Sequence, residues 1–116
     1  MPIFNKNQIP EVQAVDAVSG SSDHVLLDVR EADEWQAGHA PGAMWIPLGE
    51  LERARFEVPF NKQIVCVCRS GQRSQRAAES LIEWGFEASN MVGGMRAWAA
   101  AGLPVVRDDN TPGDVI

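Results

Sequence analysis

Cysteine is scarce in this 116-residue chain. Cys66 and Cys68 are the only two, and they stand two residues apart. A pair so placed cannot build a disulfide framework. Histidine is as scarce, with only His24 and His39. Cysteines and histidines this few, without the clustered spacing of ligands, argue against a structural zinc site, so no metal is expected. Positive charge is in the minority: 10 Lys and Arg stand against 16 Asp and Glu, a net charge of -6. No basic cluster lies outside one short loop, which argues against a nucleic-acid partner. No apolar run approaches the length of a membrane span. The opening residues, Met1-Pro2-Ile3-Phe4-Asn5-Lys6, contain no apolar segment of the kind that signal peptides carry. The expectation is a soluble protein of a reducing, cytoplasmic setting.

What is present is an ordinary apolar fraction and enough length for one core. Residues 1–8 read as an N-terminal arm, 9–106 as the domain and 107–116 as a polar C-terminal tail. Pro10 suits a first helical turn, and Val12, Val15 and Val18 then recur at helical spacing up to Ser19-Gly20. Val25 to Val29 reads as a strand buried on both faces. Glu31 to Gln36 suits one or two helical turns with Trp35 inward. Glu31, Asp33 and Glu34 form an acidic helix start and a solvated face. Gly38 to Ala43 is a turn, Met44-Trp45-Ile46 a short strand, and Pro47 to about Arg55 a helix with Leu48 and Leu51 inward. Gln63 to Val67 is the central strand. The helix from Gln75 to Trp84 carries two apolar stripes, Ala77, Leu81 and Trp84 in one and Ala78 and Ile82 in the other. Ala88 to Val92 is a weaker strand. Gly93-Gly94 opens a last helix with Met95, Trp98 and Ala99 on one face. Strands alternating with short helices predict a parallel sheet with helices on both faces.

Between the central strand and its helix lies Cys68-Arg69-Ser70-Gly71-Gln72-Arg73-Ser74. In an α/β sheet the ligand site lies beyond the carboxyl ends of the strands, where this loop falls. A free thiol ionises near pH 8.5, and helix-opening N–H groups and cations lower that value. If Arg69 to Ser74 curl around Cys68, their amides point at its sulfur as a nest. Gly71 permits the turn. Arg69 and Arg73 can draw in a small anion, and Ser70 and Ser74 add hydroxyl donors. The same cradle can hold a persulfide, which makes a two-step covalent transfer that needs no metal and no organic cofactor. Arg73 either binds substrate or pairs with a carboxylate such as Asp28. Asp28 and Arg30 support the site from the neighbouring strand end, more simply as an ion pair than in catalysis. His39, in its turn, is expected to hydrogen-bond backbone. Cys66 reads as a buried strand thiol. It shares a face with Cys68 but lies too far away to bridge to it.

The chain resembles the single-domain rhodaneses, the thiosulfate sulfurtransferases. The resemblance is carried by Leu27-Asp28-Val29-Arg30, by Glu34-Trp35 with Gly38-His39-Ala40-Pro41-Gly42-Ala43 and Ile46-Pro47, by the Cys68 to Ser74 loop, and by Gly93-Gly94 with Trp98. It implies a compact α/β fold around a five-stranded parallel sheet. It also implies a persulfide on Cys68 cradled by loop backbone. The expected reaction moves a sulfane sulfur from a small anionic donor such as thiosulfate to cyanide or a thiol. The alternatives are a persulfide carrier served by a protein sulfur donor or acceptor, and a docking module without catalysis. Related phosphatases and arsenate reductases are a further alternative. Phosphatases of this fold place five residues between cysteine and arginine, whereas four separate Cys68 from Arg73. The smaller cradle suits one sulfur atom better than a phosphoryl group.

Overall fold

Apolar side chains on both faces of a strand need cover on both sides, and the strand Gln63–Val67 (β4) has it. In the computed structural model, which describes residues 9–18 and 23–116, Ile64, Cys66 and Cys68 join one apolar cluster and Val65 and Val67 the other. Parallel neighbours flank β4. His24–Asp28 (β2) sets Leu27 beside Cys66 and Asp28 beside Val67, and Glu87–Met91 (β5) sets Asn90 beside Cys66. Two-residue edge strands complete the sheet: Glu11–Val12 (β1) beside β5 and Met44–Trp45 (β3) beside β2. The order is β1-β5-β4-β2-β3, and every pairing is parallel.

Helices cover both faces. Gln72–Glu83 (α4) turns Ala77, Ala78 and Leu81 onto the Cys66 side of the sheet, together with Leu51 of Leu51–Ala54 (α3). Ala14–Ala17 (α1) and Gly94–Ala100 (α5) cover the Val65 side with Ala14, Ala17, Met95 and Trp98. Ala32–Ala37 (α2) follows β2. Its Glu31 and Glu34 form a reciprocal capping box, which satisfies helix-opening amides. Trp35 is buried and stacks on His39 at 3.5 Å between ring centroids.

Several sequence expectations are corrected. The valine spacing after Pro10 does not make one helix. Val12 is in β1 instead, because the outer edge of β5 needs a backbone partner there: the Asn90 amide donates to the Pro10 carbonyl and that of Val92 to Val12. Only one helical turn follows, and Val15 and Val18 are exposed while Ala14 and Ala17 face inward. The segment after Pro47 is broken into a 3₁₀ turn at Leu48–Glu50, α3, and a second 3₁₀ turn at Arg55–Glu57. α4 begins at Gln72, three residues earlier than expected, so Arg73 and Ser74 are helical. Ala99 is exposed. The arm at 1–8 and most of the loop at 20–23 lie outside the described residues.

The polar stretch 107–116 doubles back over the domain. The Gly113 amide donates to the Val105 carbonyl and the Asp114 amide to that of Ala37. Val115 packs against the Val65-side cluster. This return passes so close to Gly38 that a Cβ there would lie 2.6 Å from the Asp114 nitrogen.

Leu81 has no exposed surface and packs into the core from the last turn of α4. Leu81→Ala is expected to destabilise the fold by about 3 kcal/mol. Urea unfolding followed by circular dichroism should show a lower midpoint with an unchanged slope.

Candidate active site

β4 ends at Val67, and the chain then wraps Cys68 to Gly71 around the sulfur before α4 starts. Gly71, at φ 111°, makes the turn into the helix in the left-handed region that a side chain resists. The wrap points amide nitrogens inward. Gly71 N lies 3.1 Å from Cys68 Sγ, and the amides of Ser70 and Ser74 also bond the sulfur. The carbonyls of Cys68 and Arg69, at the start of the wrap, need donors of their own. The first amides of α5 supply them: Met95 N donates to Cys68 O at 2.7 Å and Arg96 N to Arg69 O at 3.0 Å. Gly94 permits that approach, since a Cβ on it would lie 2.6 Å from Arg69 O.

Burial of Cys68 by itself would raise the thiol. The Ser74 hydroxyl and the Ser74, Gly71 and Ser70 amides outweigh that penalty and bring it below its ordinary value. Hydrogen bonds at the sulfur carry this lowering. Cys66 differs sharply. It is fully buried, and desolvation together with the nearby Cys68 charge pushes its thiol far up. Both cysteines are free.

The predicted site residues divide into groups. Ser70 and Gln72 are exposed at the mouth. Arg69 is exposed, and its Nε donates to the Ile116 carbonyl oxygen at 2.8 Å. Ser74 is fully buried and stands behind the sulfur, with Oγ 3.3 Å from Cys68 Sγ. Arg73 is half-buried and paired, though not with Asp28. Its Nη1 and Nη2 meet Glu34 Oε1 and Oε2 at 2.7 and 2.8 Å. Asp28 belongs to Arg30 instead. Both are completely buried, joined at 2.7 Å, and Arg30 Nη2 also donates to Gly38 O at 2.8 Å. This pair ties the end of β2 to the turn after α2. His39 bonds the Trp35 carbonyl through Nδ1 at 2.9 Å, as expected of it.

Three residues were missed or misread. Glu34 is not part of a solvated face, since it clamps Arg73 across 39 residues of sequence. Asn90 on β5 bonds both the Ser74 hydroxyl and the Gly71 carbonyl. Gly94 does more than open a helix. For Glu34 and Asn90 no local signal exists, because their partners are brought to them only by the sheet.

A family model, the rhodanese-like domain, matches residues 11–101. The chain belongs to the rhodanese-like family. Among relatives of this rhodanese-like domain, the thiosulfate sulfurtransferase GlpE of Pseudoalteromonas translucida is 40% identical over 80 residues, covering 68% of this chain and 76% of that one. A Bacillus subtilis protein provisionally named a sulfur carrier, YrkF, is 40% identical over 101 residues, 81% of this chain. The match spans 53% of YrkF, so this chain corresponds to about half of that protein. A crystal structure of a rhodanese-related protein from Thermoplasma volcanium superposes with a TM-score of 0.79 at 30% identity, over 84% of this chain and 97% of that one.

Hydrogen bonding to Arg73 holds the Glu34 carboxyl below its ordinary value. A carboxyl lowered on folding stabilises the fold above its unfolded value and loses that contribution as pH falls through its folded value. Glu34→Gln in this rhodanese-like domain should therefore cost up to about 1 kcal/mol near pH 7. The difference from the parent should shrink as pH falls below the ordinary carboxylate range. Denaturant unfolding of both proteins across that range measures it.

Proposed function

We propose that this domain moves a sulfane sulfur from a small anionic donor such as thiosulfate to a thiophilic acceptor, through a persulfide on Cys68. The observation that carries the reading is the sulfur itself, which accepts from the Gly71 amide at 3.1 Å and from the Ser74 hydroxyl at 3.3 Å and is lowered in pKa by these groups and the Ser74 and Ser70 amides. A thiolate so prepared needs no separate base. It attacks the outer sulfur of thiosulfate. A Cys68 Sγ–S bond forms, the donor S–S bond breaks, and sulfite leaves with the electron pair. Cyanide or an acceptor thiolate then attacks the terminal sulfur, and Cys68 leaves as thiolate. No proton is gained or lost by the protein over the cycle when the acceptor is an anion.

The amides that hold the thiolate are placed to hold the terminal persulfide sulfur as well, which carries the charge after the first step. Cys68 is 1% exposed, so the donor must present a single narrow atom at the loop mouth. A sulfane sulfur does so, and a phosphoryl group with three equatorial oxygens does not. The four-residue spacing to Arg73 supports the same choice. Among the arginines, Arg69 is the better placed for the donor, being exposed at the mouth.

One observation favours a second reading, a persulfide carrier loaded by another protein. Arg73 is engaged by Glu34, so the mouth holds less free positive charge for a dianion than two unpaired arginines would. YrkF, named as a carrier, is consistent with it.

Incubation with thiosulfate followed by intact-mass measurement tests the chemistry. One added sulfur atom is expected on the parent protein and none on Cys68→Ser, which should remain folded. Equal loading of both proteins would remove Cys68 from the assignment. Turnover with thiosulfate and cyanide, compared with loading by a cysteine desulfurase, separates enzyme from carrier. Hydrolysis of an aryl phosphate by the parent protein would revive the phosphatase reading.

A further inference from the structure

Asn90 takes no part in the steps above, yet it touches the sulfur's closest side-chain neighbour. It is 5% exposed on β5. Its amide nitrogen donates to Gly71 O at 3.0 Å and to Gln75 Oε1 at 3.2 Å. Its carbonyl oxygen lies 2.6 Å from Ser74 Oγ. The amide cannot be reversed, because the Gly71 carbonyl only accepts, and reversal would set two carbonyl oxygens against each other. An acceptor therefore faces Ser74.

Ser74 Oγ thus stands between two acceptors, Asn90 Oδ1 at 2.6 Å and Cys68 Sγ at 3.3 Å. It has one proton to give. With Cys68 as a thiol all groups are satisfied: S–H donates to Oγ and O–H donates to Asn90. With Cys68 as a thiolate the hydroxyl adds its bond to those of the amides only by turning away from Asn90. We propose that Asn90 is a positioning residue that sets the acidity of Cys68 by competing with its sulfur for the Ser74 hydroxyl proton. When Cys68 carries an added sulfur, Sγ becomes a neutral bridging atom and the hydroxyl proton returns to Asn90. The switch keeps the resting thiolate from being held so firmly that it loses nucleophilicity, which falls as thiol pKa falls.

The charged and titratable groups on the surrounding elements are Cys66 on β4, Arg69 in the loop, and Arg73 of α4 with its partner Glu34 of α2. Beyond these are Arg96 of α5 and the Asp28 and Arg30 pair at the end of β2. They are the same in every variant below, so their through-space effects cancel between them.

The proposal rests on Cys68 as the nucleophile, but its test reads protonation of the sulfur whether or not that sulfur accepts a second one. Cys68 alkylation is followed against pH by intact mass in the parent, Asn90→Leu, Ser74→Ala and the double variant. Asn90→Leu keeps the size and removes the acceptor. Its midpoint is expected to move acid-ward, with the thiolate fraction well below the midpoint raised about fivefold. Ser74→Ala should move the midpoint base-ward, and Asn90→Leu added to it should give no acid-ward shift. An unchanged or base-ward midpoint in Asn90→Leu overturns the proposal, as does the same acid-ward shift without Ser74. If Asn90→Leu does not fold, infrared spectra of the thiol form decide. The Cys68 S–H stretch, isolated by difference against Cys68→Ser, should lie lower in the parent than in Ser74→Ala, and equal frequencies overturn the proposal.

Discussion

Everything at the site depends on where the carbonyls of Cys68 and Arg69 go. A peptide that turns its N–H groups inward must turn its oxygens outward, and buried oxygens without donors are costly. Met95 N and Arg96 N meet both oxygens, and this contact frees the loop amides to converge on the sulfur. The contact requires a glycine at 94, because a side chain would stand where the loop backbone already is. The cradle is therefore built by two elements, the loop after β4 and the start of α5, which meet at the sheet's carboxyl edge.

Around that core the ions act mainly as braces. The buried Asp28 and Arg30 pair sacrifices hydration on both sides and recovers part of it through a bidentate contact and the Gly38 carbonyl, while Arg30 Nη1 is left without a partner among the described residues. Its effect is geometric, since it fixes the end of β2 against the turn that carries His39. Glu34 and Arg73 do the same between α2 and α4. Arg73 keeps its charge near the sulfur, and that charge is oriented by a carboxylate. The outcome is a site whose acidity is set chiefly by short hydrogen bonds and only secondarily by longer-range charge.

The fold class, the central strand and the place of the Cys68 loop between that strand and its helix were legible in the residues, because each is written locally. Ile64 to Val67 is apolar on both faces, and the loop's cysteine, glycine and arginines lie within six residues. The first strand was not legible. Its two residues are extended only because β5 has an open edge, a tertiary demand that overrides the valine spacing. The segment after Pro47 is broken by two 3₁₀ turns around the one helical turn that seats Leu51 in the core. The partner of Arg73 was misjudged because carboxylates at 28, 31, 33 and 34 are indistinguishable until α2 is placed.

The sequence by itself determined that a thiol would end a doubly buried strand and open a helix, since side-chain patterning and turn chemistry act over a few residues. Only the tertiary structure decided what surrounds that thiol. Asn90, Glu34 and the amides of α5 reach the loop from 16 to 39 residues away in sequence, carried there by parallel pairing and helix packing. The hydrogen bonds that join those groups to the loop span distant parts of the chain, and no spacing along it encodes them.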